Sequence, residues 1–363
     1  TKTLVGRELA EGEFSFELYD GDGNKLQTAT NDANGAFAFE EIKYELADAG
    51  KTFTYTVKEV PGDVAGVTYD ETVLTVKVEV KDVGGKLSAT LTQDSEPIAF
   101  TNTYEAEGEI TFAGTKSIDG REMTADDVFT FEIKEGEQLV GSATSDASGK
   151  INYPTIPYTL DDIGEHTYKV KETSTNGNGI TVDTREYTVT VTVSDNGDGK
   201  LNVVATGDDY TKLDFVNKYK AEGEIVLEGT KTLVGRELAA GEFEFELVNE
   251  AGETVATATN DAEGKIVFTK LTYKTEDIGK TYTYTAKEKA GNAAGVKYDS
   301  NLITVKVTIA DNGDGKLNVT TASDSQAIAF TNTYSAEGAI ILAGTKSLNG
   351  RALKAGEFSF ELY

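Results

Sequence analysis

The chain has 363 residues, and 62 acidic against 34 basic residues give it a formal net charge of −28. A surface this acidic repels phosphate backbones and anionic lipid, which argues against nucleic acid and membrane surfaces as partners. The lack of cysteine excludes disulfides, thiol nucleophiles and cysteine-ligated zinc, while a hydrophobic content of 38% is sufficient for packed cores.

Short runs of alternating apolar and polar residues, separated by turn signals, follow one another from the N terminus. This pattern predicts an all-β chain. In the first hundred residues the predicted strands are 14–19, 37–39, 52–57, 73–80, 87–91 and 98–104. Helical turns are expected only near 124–128 and 159–163.

The strand pattern then repeats along the chain. Equivalent lysines step by 114, 115 and 115 residues, at Lys2, Lys116, Lys231 and Lys346. A unit of this length suits one immunoglobulin-like β-sandwich. The sequence therefore predicts a first repeat at 1–104 that lacks its first strand, complete repeats at 105–219 and 220–334, and the start of a fourth at 335–363.

The joints between repeats are short, and they contain no proline-rich or serine-rich linker. They predict an elongated, semi-rigid rod of tandem sandwiches. No stretch approaches the roughly 20 apolar residues that span a bilayer, and no signal peptide is recognised. The ends indicate a window from a longer repeating protein. The alternative is that the tail of a neighbouring copy, 335–363, completes the first domain by strand addition.

Three polar residues recur in each repeat at positions where strand alternation calls for an apolar side chain. Ile110, Phe112 and Gly114, for example, share the face of Lys116. A glutamate and an asparagine occupy such positions later in the same repeat. The three sets, called triads below, are Lys2, Glu59 and Asn102; Lys116, Glu172 and Asn217; and Lys231, Glu288 and Asn332.

Two interpretations of the triads remain open from the residues alone. The first is a buried salt bridge with a hydrogen-bonded asparagine. In the second, desolvation lowers the pKa of the lysine and raises that of the glutamate, so that a neutral amine attacks the asparagine carbonyl. The acid polarises that carbonyl and shuttles protons, ammonia leaves, and an amide cross-link remains. This would be a single maturation event, so the chain is not predicted to be an enzyme.

The segments G-T-K-S-I at 114–118, Y-K-V-K-E at 168–172 and F-V-N-K-Y at 215–219 resemble the signatures of the streptococcal pilin isopeptide-linkage domain. That family has a CnaB-type immunoglobulin-like fold in Gram-positive pilins and adhesin stalks. The resemblance implies bonds Lys2–Asn102, Lys116–Asn217 and Lys231–Asn332, assisted by Glu59, Glu172 and Glu288. Lys346 has no asparagine partner in this piece.

The resemblance also implies a structural role without cofactors. The expected role is that of a stalk or fibre on a bacterial cell surface, anchored in the wall or part of a pilus. Neighbouring repeats and other copies in a filament are the expected partners. The alternative function is a ligand-binding adhesin module that displays loops on repeated sandwiches. The loops at 154–157 and 173–179 differ most between repeats, but they are mostly small and polar.

Other motifs give weaker signals. The segments 195–200 and 311–316 resemble the start of a calcium loop but lack its glutamate at the twelfth position, so they are predicted to be hairpin turns and no metal site is expected. His166 is the only histidine, which argues against histidine-dependent catalysis. A Thr–Gln ester would need a glutamine in every repeat, but Gln326 aligns with Glu96 in the first repeat and the second has no glutamine nearby.

Overall fold

The structure is a computed structural model that describes all 363 residues. It contains thirty β-strands and three single-turn 3-10 helices, which confirms the predicted fold class of tandem β-sandwiches. The chain divides into two compact units, Thr1–Tyr219 and Lys220–Tyr363. None of its helices has the length and apolar character needed to cross a bilayer.

The first repeat forms two sheets and one 3-10 helix, Leu46–Asp48. Its strands are β1 (Lys2–Val5), β2 (Ser15–Tyr19), β3 (Lys25–Thr30), β4 (Thr52–Glu59), β5 (Val67–Thr68), β6 (Val73–Asp82), β7 (Leu87–Leu91) and β8 (Phe100–Tyr104). The larger sheet has the order β3-β2-β4-β6-β7 and the smaller β1-β8-β5. Strands β1 and β8, the first and last of the repeat, pair in parallel.

The second repeat adds a two-stranded sheet, β14-β9, and the 3-10 helix Leu160–Asp162. Its strands are β9 (Gly108–Thr111), β10 (Lys116–Asp119), β11 (Thr130–Glu135), β12 (Gln138–Ser145), β13 (Ile151–Asn152), β14 (Thr155–Tyr158), β15 (Gly164–Glu172), β16 (Ile180–Thr181), β17 (Glu186–Asp195), β18 (Leu201–Gly207) and β19 (Phe215–Tyr219). The main sheets are β13-β12-β11-β15-β17-β18 and β10-β19-β16, in which β10 and β19 are parallel.

The third repeat has the same plan, with the 3-10 helix Thr275–Asp277. Its strands are β20 (Glu222–Ile225), β21 (Glu228–Val234), β22 (Glu244–Val248), β23 (Thr254–Thr259), β24 (Lys265–Val267), β25 (Leu271–Lys274), β26 (Thr281–Glu288), β27 (Val296–Lys297), β28 (Ile303–Asp311), β29 (Leu317–Thr321) and β30 (Ile328–Tyr334). The sheets are β23-β22-β26-β28-β29, β24-β21-β30-β27 and β20-β25, and β21 and β30 are parallel.

A phenylalanine pair packs across the two main sheets of every repeat. The ring centroids lie 5.3, 5.1 and 5.2 Å apart in the pairs Phe16–Phe100, Phe131–Phe215 and Phe245–Phe330. All six rings are essentially inaccessible to solvent, and burying one such side chain stabilises a fold by about 1.5–3 kcal/mol. Because one ring of each pair lies on the last strand, this packing also holds that strand against the larger sheet.

Two local predictions were wrong. Residues 124–128 form a turn and not a helical turn, because the Asp127 carboxylate accepts hydrogen bonds from the backbone N–H of Thr124 and from Arg121. The predicted strand at 37–39 is not formed, although Phe37 stacks on Phe16 with centroids 3.8 Å apart. The turn predicted near 159–163 contains the 3-10 helix of the second repeat.

The predicted turn at 195–200 connects β17 and β18 and also joins the first two repeats. Asp195 Oδ1 accepts a hydrogen bond of 2.8 Å from the Tyr104 hydroxyl, whose oxygen accepts one of 3.1 Å from the backbone N–H of Gly199. A Cβ added to Gly66 would lie 2.7 Å from Gly199 Cα, so the two backbones are too close for any residue other than glycine at position 66. These contacts lie inside the first compact unit.

Residues 335–363 contain no strand and expose several large apolar side chains, among them Ile341 and Leu362. Lys346 Nζ lies 5.0 Å from the ring centroid of Phe358. The same contact is made by Lys2 and Phe14, at 4.7 Å. The assignment of this segment as the start of a fourth repeat stays a prediction.

His166 has an acceptor at each ring nitrogen. Nδ1 lies 2.9 Å from Glu135 Oε1, and Nε2 lies 2.8 Å from the carbonyl oxygen of Asp162. Both contacts are hydrogen bonds only when the imidazolium donates from both nitrogens. Burial acts to lower the pKa of His166, but these hydrogen bonds and the charges of Glu135 and Asp162 raise it on balance. The rings of Tyr158 and Tyr168 also lie beside the imidazole, with centroids at 5.4 and 6.2 Å.

We expect the second repeat to lose stability as the pH rises through the folded-state pKa of His166. Because that pKa is raised, the stabilisation is complete below the unfolded value of about 6.5 and is lost above the folded value. Thermal unfolding of the chain and of a His166→Phe variant between about pH 5 and 8 measures this loss of stability. Phe53 occupies the equivalent position in the first repeat, which serves as an internal control. An identical pH dependence in the two proteins would contradict the assignment.

Candidate cross-linking site

The structure brings the three members of every triad together in the core. The side chains of the lysines and glutamates are fully inaccessible to solvent, as are the three asparagines. The lysines lie on the first strand of the smaller sheet, the glutamates end the central strands β4, β15 and β26, and the asparagines lie on the last strands β8, β19 and β30. Strand alternation therefore predicted their inward direction correctly.

One carboxylate contacts both nitrogen atoms of each triad. The distances from the glutamate Oε2 to the lysine Nζ are 2.8, 3.2 and 2.8 Å in the three repeats in chain order. The distances from Oε1 to the asparagine Nδ2 are 2.8, 2.8 and 2.7 Å. In the second repeat the ion pair lacks hydrogen-bond geometry, so Lys116 Nζ and Glu172 Oε2 have no hydrogen-bond partner.

Besides the carboxylate contact, a phenylalanine ring lies beside each lysine nitrogen. Lys2, Lys116 and Lys231 have Nζ at 4.7, 4.8 and 4.5 Å from the ring centroids of Phe14, Phe129 and Phe243. Burial lowers the pKa of all three lysines below the value of a free lysine, although the contacts with the glutamates act in the opposite direction. The neutral amine, which is the nucleophilic form, is therefore more accessible than in water.

The oxygen of each asparagine amide has a different partner from the nitrogen. Backbone N–H groups donate to Oδ1 in the pairs Asp70–Asn102, Asp183–Asn217 and Asp299–Asn332, at 2.8, 2.7 and 2.7 Å. The glutamate thus contacts the amide nitrogen, whereas the sequence-based mechanism had it polarise the carbonyl oxygen. The aspartates were missed from sequence. The signal available was their recurrence 32, 34 and 33 residues before the triad asparagine.

A cation–π contact also links the end of the first strand to the last strand in each repeat. The guanidinium carbons of Arg7, Arg121 and Arg236 lie 4.9, 4.8 and 5.0 Å from the ring centroids of Tyr104, Tyr219 and Tyr334, which end the last strands. Each arginine also pairs with a carboxylate six residues later, bidentately in the case of Asp127 at 2.7 and 2.8 Å. These arginines were also missed, since an R-x5-D or R-x5-E spacing has no unique structural meaning.

A tight glycine turn holds the strand of each lysine. The backbone N–H of Lys116 donates to the carbonyl oxygen of Gly149 at 2.6 Å, and Gly35 and Gly264 accept equivalent bonds at 2.6 Å. Gly149 has φ +85°, and an added Cβ would lie 2.3 Å from the carbonyl oxygen of Lys116. Gly197 has a similar φ of +78° but open space around a Cβ.

We expect Gly149→Ala to destabilise the second repeat more than Gly197→Ala. Both substitutions place alanine at positive φ, which costs about 1–3 kcal/mol, and only the first also forces a Cβ against the lysine strand. Thermal unfolding and cross-link formation of the two variants measure the difference. Equal losses would show that the contact with Lys116 relaxes at no cost.

A family model described as FctA, Spy0128-like isopeptide containing domain, matches residues 1–105, 112–220 and 227–335. Among solved structures, the Bacillus anthracis TIE protein is 20% identical with a TM-score of 0.21, and the match covers 92% of this chain and 49% of that one. The major pilin T-13 of Streptococcus pyogenes is 19% identical with a TM-score of 0.24, covering 64% and 99%. The pilus adhesin SpaC of Lactobacillus rhamnosus GG is 17% identical with a TM-score of 0.20, covering 94% and 43%.

The chain thus spans 49% of the length of the TIE protein. A search of the curated proteins finds no match. TM-scores this low do not support an assignment. The family assignment rests on the family match, which repeats three times and includes every triad residue. The chain belongs to the FctA family of Spy0128-like isopeptide-containing domains.

Proposed function

We propose that the chain is a stalk or fibre segment in which each complete triad forms an intramolecular Lys–Asn isopeptide bond. The observation that carries the proposal is the single buried carboxylate that contacts both the attacking nitrogen and the leaving nitrogen in all three repeats. The bonds would be Lys2–Asn102, Lys116–Asn217 and Lys231–Asn332. The family is one of structural domains, so this chemistry serves maturation and not turnover.

Bond formation explains the second triad better than a permanent ion pair does. Removing two charges from water costs several kcal/mol for each ion, and the attraction between them offsets this only with excellent geometry. The second repeat lacks that geometry, since Lys116 Nζ and Glu172 Oε2 have no hydrogen-bond partner. An amide replaces the charged lysine by a neutral group, which removes the electrostatic penalty.

The reaction balances with the atoms that are present. The lysine ammonium first gives a proton to the glutamate carboxylate, which leaves a neutral amine and a carboxylic acid. The lone pair of Nζ then attacks the asparagine Cγ, and the bond Nζ–Cγ forms. The glutamic acid donates its proton to Nδ2 and takes one from Nζ, the Cγ–Nδ2 bond breaks, and ammonia leaves. The glutamate ends as the acid, so no other reactant is needed.

The position of the bond suits a load-bearing role. It would join the first strand of the smaller sheet to the last strand, and these strands are parallel neighbours in each repeat. Tension along the chain enters a repeat near one of these strands and leaves through the other. A covalent bond between them carries the force past the rest of the sandwich and suppresses the local opening that admits proteases.

The family assignment supports an extracellular location at a bacterial surface, either anchored in the cell wall or within a pilus. Neighbouring repeats and other copies of the protein would be its partners. The net charge of −28 fits this setting, since like-charged stalks repel one another and resist lateral aggregation.

The intact mass of the denatured full chain tests the proposal. We expect a deficit of three ammonia masses, and peptide mapping should recover the three predicted pairs as branched peptides. A Glu172→Gln variant provides the control, because glutamine keeps the shape of the side chain but cannot shuttle protons. It should lack one ammonia loss. A full chain of unmodified mass would refute the cross-links.

A further inference from the structure

The asparagine oxygen of each triad is held by a group that the proton shuttle does not use. The backbone N–H of Asp183 donates to Asn217 Oδ1 at 2.7 Å, while Glu172 Oε1 accepts from Nδ2 at 2.8 Å. A backbone N–H can only donate, and Nδ2 of the amide can only donate to the glutamate. This pair of contacts therefore fixes which end of the amide is the oxygen. The same orientation recurs at Asn102 and Asn332.

The carboxylate of the same aspartate fixes the position of the loop that carries the donating N–H. In the second repeat, Asp183 Oδ2 accepts from the backbone N–H of Val216 at 2.8 Å and Oδ1 from that of Arg185 at 3.0 Å. Val216 directly precedes the triad asparagine. The side chain thus ties the loop to the asparagine strand. Equivalent bonds join Asp70 to Thr101 and Thr72, at 2.8 and 3.0 Å, and Asp299 to Thr331 and Asn301, at 2.7 and 2.9 Å.

We propose that the backbone N–H groups of Asp70, Asp183 and Asp299 act as oxyanion donors during isopeptide formation, and that the aspartate carboxylates position them. This inference rests on the proposed Lys–Asn reaction. When Nζ attacks Cγ, the π electrons of the carbonyl move onto Oδ1, which becomes an oxyanion. They return when the Cγ–Nδ2 bond breaks and ammonia leaves. A preorganised donor at that oxygen stabilises the charge where it develops.

The site thereby divides the work between two groups. The glutamate contacts the two nitrogens, so it moves protons. The backbone N–H contacts the oxygen, so it stabilises charge. Because the donor belongs to the main chain, any residue except proline supplies it. The aspartate side chain positions the loop, and its charge also raises the pKa of the triad lysine.

The test compares two substitutions at one position in the full chain. Asp183→Pro removes both the N–H and the carboxylate, whereas Asp183→Ala removes only the carboxylate. Asp208→Ala is the matched control, since Asp208 Oδ2 accepts from the backbone N–H of Thr188 at 2.7 Å and makes no bond to the triad. The chains are produced by cell-free synthesis, acid-quenched at intervals, and mapped for the Lys116–Asn217 peptide. Protease resistance and near-ultraviolet circular dichroism report folding.

We expect Asp183→Pro to slow cross-linking of the second repeat by about 10²-fold or more, the usual effect of losing one oxyanion donor. Asp183→Ala should slow it less, and Asp208→Ala should not slow it. The first and third repeats of every variant serve as internal references. Equal slowing by proline and alanine, or wild-type rates in the proline variant, would overturn the inference. A wild-type chain that loses no ammonia would instead refute the proposed function.

A second variant decides the question if Asp183→Pro prevents folding. Asp183→Asn keeps the shape of the side chain but offers only one acceptor oxygen to the two backbone N–H groups. We expect a lower maximal rate of cross-linking, reached at a lower pH, because the charge of Asp183, which raises the pKa of Lys116, is lost. A maximal rate that stays at the wild-type value would overturn the inference.

Discussion

Replacing Lys116 by alanine should lower the stability of the second repeat more than any exposed substitution in it. The variant cannot form the Lys116–Asn217 bond, which closes a loop of 101 residues, counted from position 116 to 217. The loop-closure relation for disulfides gives about 4–5 kcal/mol for a loop of this size, if it holds for an amide. The substitution also leaves the fully buried Glu172 without its cation, which destabilises the fold further unless the carboxylate protonates.

Thermal unfolding of the full chain measures this effect, and limited proteolysis assigns the transition to a repeat. Three domains in one chain do not unfold as a single two-state system, so the affected repeat should melt separately and first. Lys218→Ala is the matched control, because Lys218 lies one residue from Asn217 on the same strand but is exposed. A Lys116→Ala repeat that melts at the wild-type temperature would remove the stabilising role of the bond.

Strand alternation was sufficient to place the triads. A side chain two positions from a core residue shares its face, so Glu59, two positions from Val57, and Asn102, two positions from Phe100, had to point inward once their strands formed. The recurrence at a fixed spacing then identified equivalent positions in separate repeats. The all-β class and the tandem sandwiches followed from the same two signals.

Other parts of the site could not be predicted from the sequence because backbone groups form them. The N–H of Asp183 reaches Asn217 only through the path of its loop, and no residue type encodes that path. The parallel pairing of β10 with β19 likewise depends on the closure of the whole sandwich. The contact between Tyr104 and Asp195 joins residues 91 positions apart in two repeats, and the turn at 195–200 gave no sign that it docks on another repeat.

The structure also explains why one local prediction was wrong. Residues 124–128 have the composition of a helical turn, but the Asp127 carboxylate accepts a hydrogen bond of 2.7 Å from the backbone N–H of Thr124. It also binds the guanidinium of Arg121. A short polar side chain that bonds to nearby backbone competes with helix formation. The arginine that decides the outcome lies outside the predicted segment.

Under tension, the cross-linked chain should extend far less than its length allows. In an uncross-linked second repeat, the 101 residues between Lys116 and Asn217 can be pulled out to about 350 Å, at about 3.5 Å per residue. With the bond in place the force passes from β10 directly to β19, and the segment between them cannot be extended. Only the strand that precedes Lys116, β9, can peel from β14, and its segment 105–115 releases at most about 40 Å.

Single-molecule pulling on the full chain measures the released length. We expect no step near 350 Å from the wild-type protein, one from Glu172→Gln, and three when Glu59 and Glu288 are also replaced by glutamine. Glu186→Gln is the matched control, since Glu186 is an exposed carboxylate in the same repeat. Glutamine keeps the shape of the glutamate but leaves the buried lysine without its counter-charge, which lowers the force at which the repeat opens. The length of each new step still reports the missing bond. A wild-type chain that releases these lengths repeat by repeat would show that its first and last strands are not covalently joined, and the load-bearing role would then be lost.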